Sequence, residues 1–455
     1  MRYLRRTVYI LLLVAAADPI PLWMLLGQPL TGAPFTMWWW LPFLAAFLFI
    51  NLFPLPATAP TRRIRQLAAG CELLWLFLAA FALSMCLQLA WLLMWVLPAV
   101  IKGRAGVLRL VLLDGAVAFF ILAILFWSGM IRVYVTSVQL GIKHRILAAV
   151  CGWIPFVNLW YLARIIRITG EEVRFETEKW EMDAVRAESG ICRTRYPLLM
   201  VHGVFFRDFR YLDYWGRVPK ELIRNGATVY YGQQQSAASV EDSGRELACR
   251  IRQIVEETGC EKVNIIAHSK GGLDSRAAIS HWGIAPYVAS LTTVNTPHRG
   301  CIFAEHLLGK VPETLRRKVA ATYNTALRMV GDPDPDFLAA VTDLTESACA
   351  ARNAVTPDVP GVLYESVMSC CKRARNGRFP LNMTYPVVKH FDGQNDGLVS
   401  VESARWGDRY TLLEPRGERG ISHGDMIDLN RENIPGFDVR EFYVGLVAEL
   451  KRRGY

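Results

Sequence analysis

Apolar positions along this chain follow two different regimes, and the change falls near residue 170. Between Thr7 and Thr61 the only charged residue is Asp18, and between Leu73 and Ile101 there is none. From Leu110 to Ile131 only Asp114 interrupts the run, and Ile146 to Ala163 is again uncharged. A bilayer core takes about 20 apolar residues per helix. The pattern therefore predicts spans near 8–27, 37–54, 73–98 and 110–131, with a fifth candidate at 146–163 that holds Pro155 and Asn158 mid-segment. A cleaved leader would account for the first of these alone, so the reading is a multi-span membrane domain.

After a charged segment, 170–190, that reads as a helical stalk, short apolar runs alternate with amphipathic ones. YPLLMVHG, ATVYYG (227–232), VNIIA, VASLTTVNT (288–296) and PVVKHF (386–391) read as strands. VEDSGRELACRIRQIVEETG reads as a helix with Leu247, Ile251 and Ile254 on one face, and 437–453 as a last helix. Strands alternating with helices predict a mostly parallel sheet covered on both faces. The alternation fails between about 301 and 382, which reads as an inserted helical cap. The expected organisation is thus an all-α transmembrane domain at 1–168 with four or five helices, and a charged linker at 169–194. An α/β domain at 195–455 completes it.

Composition changes this picture little. The net charge of +10 could suggest a nucleic-acid partner. Much of the basic excess, however, flanks the apolar runs (Arg2, Arg5, Arg6, Arg62, Arg63, Arg65, Arg132, Lys143, Arg145), as membrane orientation requires. No basic run with interleaved aromatics stands elsewhere, so no nucleic-acid partner is expected. Seven of the ten cysteines follow residue 171, an odd number without a C-x-x-C pair, and unpaired thiols suit a reducing compartment. The expectation is an integral membrane protein with its C-terminal domain in the cytoplasm. Whether 146–163 spans decides the side. Asp18 and Asp114 raise a transport or relay role; helix-end and capping roles account for them more simply.

One stretch carries chemistry. In VNIIAHSKGGLDSR a strand-like run meets Ser269 between small residues, Ala267 two before and Gly271 two after. This is the G-x-S-x-G elbow with alanine in the first slot, a turn that lifts a serine hydroxyl out of a sheet beside a helix N-terminus. A nucleophilic serine needs a base, an orienting acid and an oxyanion hole. DGQNDGLVS (392–400) offers Asp396, with Asp392 as runner-up, and His423 is the only histidine downstream of either. The N–H of Val204, after Gly203 in LLMVHGVFF, and the N–H of Lys270 are the candidate oxyanion donors. Phe205 and Phe206, with the cap, are candidate walls of a substrate cleft.

YPLLMVHGVFFRD, VNIIAHSKGGLDSR, LTTVNTPHRG, GQNDGLVS and SHGDMIDL together resemble, in order, the motifs of the bacterial triacylglycerol (true) lipases of the α/β-hydrolase fold. The resemblance covers roughly 196–430. It implies Ser269 as nucleophile, Asp396 as acid, His423 as base, and Val204 and Lys270 as oxyanion donors. The chain departs from the family at Ala267, in a glycine slot, and at Lys270, where glutamine is common and where a lysine could favour an anionic head group. The membrane domain is also foreign to it. The family's structural calcium uses an acid two residues after the histidine, a position held here by Asp425; the remaining ligands are not placed, and no cofactor is required. The expected function is a membrane-anchored serine hydrolase of lipid esters. A lipid acyltransferase or phospholipase with the same residues is the alternative, and a non-catalytic scaffold or transporter a third reading.

Overall fold

The computed structural model describes residues 2–27, 36–54, 59–104, 106–204, 214–329, 334–379, 381–414 and 417–455. Phe205 and Phe206 lie outside them. The chain divides into two compact units, Met1–Met182 and Asp183–Tyr455. The division falls inside one continuous helix, Val157–Ala187, so the charged segment expected as a linker is largely helical.

The first unit is all helix. Two of its helices, Arg62–Ile101 and Val107–Thr136, are long and apolar enough to cross a membrane, and a third crossing results if Tyr3–Ala17 and Pro19–Leu25, bent by 102° at Asp18, count as one. Four or five spans were expected; these two or three are the ones found among the described residues. Trp38–Leu52 is apolar but shorter. The stretch 146–163 is not one helix: Gly141–Cys151 ends, Phe156 takes a φ of 66°, and a new helix starts at Val157. The two long helices cross closely at Gly70 and Gly129. A methyl on Gly70 would stand 2.9 Å from Val133 Cγ2, and one on Gly129 2.9 Å from Leu74, so only glycine lets the backbones approach. Leu13, Phe47, Leu73, Leu76 and Leu125 form the interior, while Leu112, Phe119, Phe120 and Trp127 point outward and are exposed. Inside this unit Gln88 Nε2 donates to both Asp18 Oδ1 (2.7 Å) and Asp114 Oδ2 (2.6 Å), and the N–H of Ile20, freed by the break, donates to Asp114 Oδ1 (3.1 Å).

The second unit holds six parallel strands: β1 (Leu198–Val201), β2 (Val229–Tyr231), β3 (Val263–His268), β4 (Val288–Val294), β5 (Leu363–Ser369) and β6 (Arg409–Leu413), in the order β2-β1-β3-β4-β5-β6. Both faces are covered. Leu198 and Met200 pack with Ile266, Trp215, Tyr443 and Val447 on one side, whereas Leu199 and Val201 pack with Leu247, Ile251 and Ile265 on the other. Strand side chains alternate between faces, so a run such as LLMV must be apolar throughout when both are buried. Helix Val240–Thr258 forms where periodicity predicts it, with Ser239 Oγ accepting from Asp242 N and Gly259 ending it at φ 68°.

Two expectations fail. PVVKHF is not a strand but part of helix Leu381–Asp392. Its buried residues, Tyr385 and Val388, lie three apart, which is helical spacing that two adjacent valines disguised. The segment expected as a cap, 301–382, contains β5, which pairs with β4 inside the sheet. Only the helices before it, Ile302–Lys310, Glu313–Met329, Phe337–Thr342 and Glu346–Val355, stand between β4 and β5.

Candidate active site

The chain runs from β1 to one side of the sheet and returns through β3 to the other, so the strand order reverses at these two strands, whose C-terminal ends are the usual place for a ligand in a parallel sheet. Ser269 sits there, between β3 and helix Lys270–His281, with φ 56° and ψ −132°. A non-glycine residue held in this region costs about 1–3 kcal/mol. Its surroundings fix it. Ser269 N donates to Val294 O (3.0 Å), and Thr296 Oγ1 and Gly272 N donate to its carbonyl (2.8 and 3.1 Å). A methyl on Gly271 would overlap His202 O, and one on Gly203 would stand 2.8 Å from Ser269 Cβ. The small residues around the serine are therefore steric requirements. Ala267, fully buried at the end of β3, fits without a glycine.

Asp396 and His423 come together. His423 Nδ1 lies 2.7 Å from Asp396 Oδ2, and His423 N donates to Asp396 O at 3.0 Å. The Asp396 carboxylate is fully buried and accepts three further hydrogen bonds, from Leu398 N (2.9 Å), Val399 N (2.8 Å) and Asn295 Nδ2 (2.6 Å). Its loop follows a helix rather than the strand expected at 386–391, yet reaches the same sheet edge: Cys371 N, just past β5, donates to Asn395 O (2.9 Å). Asp392, the runner-up, is occupied elsewhere. Its two oxygens accept from Ile302 N (2.9 Å) and Phe303 N (3.0 Å) and so cap helix Ile302–Lys310.

His423 packs its ring 4.5 Å from that of His268, the residue before Ser269. Among the described residues no hydrogen bond joins the Ser269 hydroxyl to His423; in unliganded hydrolases such bonds commonly tighten only with substrate. Burial, and after it the neighbouring His423, holds His268 well below the ordinary imidazole range, so it is neutral. Tyr214 OH lies 2.8 Å from His268 Nδ1 and accepts from Gly203 N (3.0 Å). His202 is braced as well, with ring nitrogens 2.9 Å from Gly203 O and 3.0 Å from Gln234 O. Val204, buried, follows Gly203 directly.

Lys270 does not present its ammonium to a head group. The side chain is buried, and Nζ bonds Asp274 Oδ1 (2.6 Å) and Ser243 Oγ (3.1 Å). Burial pushes the Asp274 carboxyl up to about 7, against the pull of that ammonium. Only the backbone of Lys270 faces the turn. The calcium that the resemblance implies does not fit either. Asp425 Oδ2 accepts from Ser422 N and Oγ (both 2.7 Å), and Oδ1 from the Arg419 guanidinium (3.1 Å), so its oxygens already face donors.

Two residues of this network escape sequence reasoning. Asn295 takes φ 50° just past β4, and its amide spans Ser369 Oγ (2.7 Å), Ser369 N (3.1 Å) and Asp396. An asparagine ending a strand before Thr-Pro tolerates a left-handed backbone, which is the signal that could have found it. Tyr214 carries no local signal.

No family model matches the chain. Triacylglycerol lipase from Pseudomonas fragi is 34% identical over 295 residues, covering 57% of this chain and 98% of that protein. Triacylglycerol lipase from Vibrio cholerae is 30% identical over 259 residues, covering 51% and 82%. Triacylglycerol lipase from Pseudarthrobacter phenanthrenivorans is 36% identical over 173 residues, covering 35% and 53%. The chain thus spans about half the length of some of the curated relatives it matches, and nearly the whole of others. By the identity and coverage of the Pseudomonas and Vibrio proteins, this chain belongs to the triacylglycerol lipase family.

Proposed function

We propose that this chain is a membrane-anchored serine hydrolase that cleaves carboxylic esters of lipids, acylglycerols being the class the relatives' names suggest. One observation carries the reading: a buried aspartate–imidazole pair, Asp396 and His423, beside a serine held in an elbow at the C-terminal edge of a parallel sheet. In this reading His423, with Nδ1 committed to Asp396, uses Nε2 to take the Ser269 proton as the hydroxyl attacks the ester carbonyl. The backbone N–H groups of Val204 and Lys270 receive the oxyanion. His423 then protonates the departing alcohol, and water, activated by the same nitrogen, releases the fatty acid from the acyl-serine. Asp396 stays ionised throughout and fixes the imidazole tautomer. The helical unit keeps the enzyme at a bilayer, where its substrate dissolves; the outward apolar side chains of the two long helices support this part.

Labelling the full chain with a fluorophosphonate probe tests the assignment. Ser269→Ala should abolish labelling and lower ester hydrolysis by ~10³-fold or more with an unchanged thermal midpoint. Full activity in that variant would end the reading.

A further inference from the structure

The loop between β6 and helix Val439–Arg452 carries His423 and, among its described residues, has a single short helical turn, Asp425–Ile427. A base must be held to a fraction of an ångström, and with so little regular structure the backbone alone does not do it. Charge does. Arg419 Nη2 donates to Asp425 Oδ1 (3.1 Å) and to Glu432 Oε2 (2.9 Å), and Arg419 Nη1 donates to Gly420 O (2.7 Å). Glu432 is gripped again from outside the loop by Arg378, through Nε (2.7 Å) and Nη2 (2.6 Å). One guanidinium thus joins the start of the loop, the residue two past His423, and the far side of the loop. Asp425 passes the restraint on through Ser422, the immediate neighbour of His423.

Two carboxylates converging on one point beside a catalytic base are what a divalent cation would ordinarily neutralise. A calcium ion needs six to eight oxygens at about 2.3–2.6 Å. Here a fixed positive nitrogen lies between the carboxylates, and its N–H groups repel a cation.

We propose that Arg419 is the built-in cation of this loop: it replaces a structural metal by joining Asp425 to Glu432, and so positions His423 without calcium. The proposal rests on His423 being the base. Arg419 acts through other residues and touches no reacting atom.

The test uses the full chain, stripped with a calcium chelator, and measures soluble-ester hydrolysis and thermal midpoint with and without millimolar calcium. The wild type should respond to neither chelator nor calcium. Arg419→Ala should lose ~10-fold or more in kcat with KM little changed, because partners one step removed from a site commonly cost 10–100-fold. Its two freed carboxylates should then answer to calcium, with a higher midpoint and partial return of rate. Arg419→Lys, which keeps the charge, should fold, lose less and stay indifferent to calcium, and it carries the test should the alanine variant not fold. A wild type that loses rate or midpoint on chelation and regains it with calcium would overturn the proposal. So would Arg419→Ala at wild-type rate, or a lysine variant that needs calcium. His423→Ala, run in parallel, separates the two readings. Hydrolysis that survives it sinks the base assignment, whereas its loss alongside an unaffected Arg419→Ala sinks only the clamp.

Discussion

Each unit buries carboxylates, and Asp396 in one and the Asp18–Asp114 pair in the other are held in opposite ways. In the second unit one carboxylate, Asp396, receives two backbone N–H groups, an amide and an imidazole. In the helical unit two carboxylates, Asp18 and Asp114, divide the NH₂ of a single glutamine, with Ser84 also serving Asp18 and one backbone N–H serving Asp114. Oversupply with donors fixes an ion in one place and keeps its charge available to a neighbour. Sharing one amide between two acids instead ties chain segments together at a helix break. The first arrangement suits chemistry and the second suits architecture, although both look alike as buried aspartates in a sequence.

The comparison can be broken at its strongest point first. Asp396→Asn should lower turnover by ~10²–10⁴, because His423 loses the partner that sets its tautomer and stabilises its cation. Asp392→Asn should do far less, since that residue caps a helix. The reverse ranking in steady-state kinetics would misplace the acid.

Asn295 comes next. Asn295→Gly keeps the left-handed backbone accessible but removes a donor to the ionised carboxylate, a bond worth about 1.5–3 kcal/mol. A kcat loss of roughly 10–100-fold is expected, and an unchanged kcat would mean that Asp396 does not depend on this donor.

His268 offers a sharper test, through pH. Its native pKa is depressed by burial, so below about 6.5 the unfolded chain binds a proton that the folded chain refuses. That linkage makes its contribution to stability fall as pH drops. The stability difference between wild type and His268→Gln should therefore shift against the wild type by about 1.4 kcal/mol per pH unit below that point. Denaturant melts at several pH values measure it; a flat difference would mean the ring is protonated in the fold.

The smallest effect belongs to the helical unit. Asp114→Asn preserves shape and can still accept through its carbonyl, so soluble-ester hydrolysis should stay within about twofold, as for most substitutions away from a site. A large loss would show that the two clusters are not the separate devices described above.

These contrasts also explain what was legible in the sequence. The elbow at Ser269 and the pairing of Asp396 with His423 were legible because the chemistry proposed for them demands residue types in an order, and His423 is the only histidine downstream of Asp396. The glycines beside the serine were readable because sterics admit little else. Asn295 and Tyr214 were not, because their roles arise from strands and loops distant in the chain that meet only after folding. LYESVMS escaped as a strand because it mixes polar and apolar positions beside a helical segment, whereas PVVKHF imitated one through its valines. Helix continuity was less legible than apolarity: among the described residues, breaks at Asp18 and at 152–156 interrupt runs that composition alone reads as continuous.

The double cap that Asp392 places on helix Ile302–Lys310 has a consequence for how such an enzyme can change. Asp392 stands four residues before Asp396, at the end of the helix that leads into the loop carrying the proposed acid. The first helix after β4 and the acid therefore share a mechanical anchor. An exchange of the inserted helices for those of a relative would not be a modular swap: the new segment would have to offer two N–H groups in the same place, or the acid loop would relax. Diversification of the insertion is thereby yoked to the Asp396 loop, and the segments easier to vary are helices Phe337–Thr342 and Glu346–Val355, which are capped by their own Asp336 and Thr345.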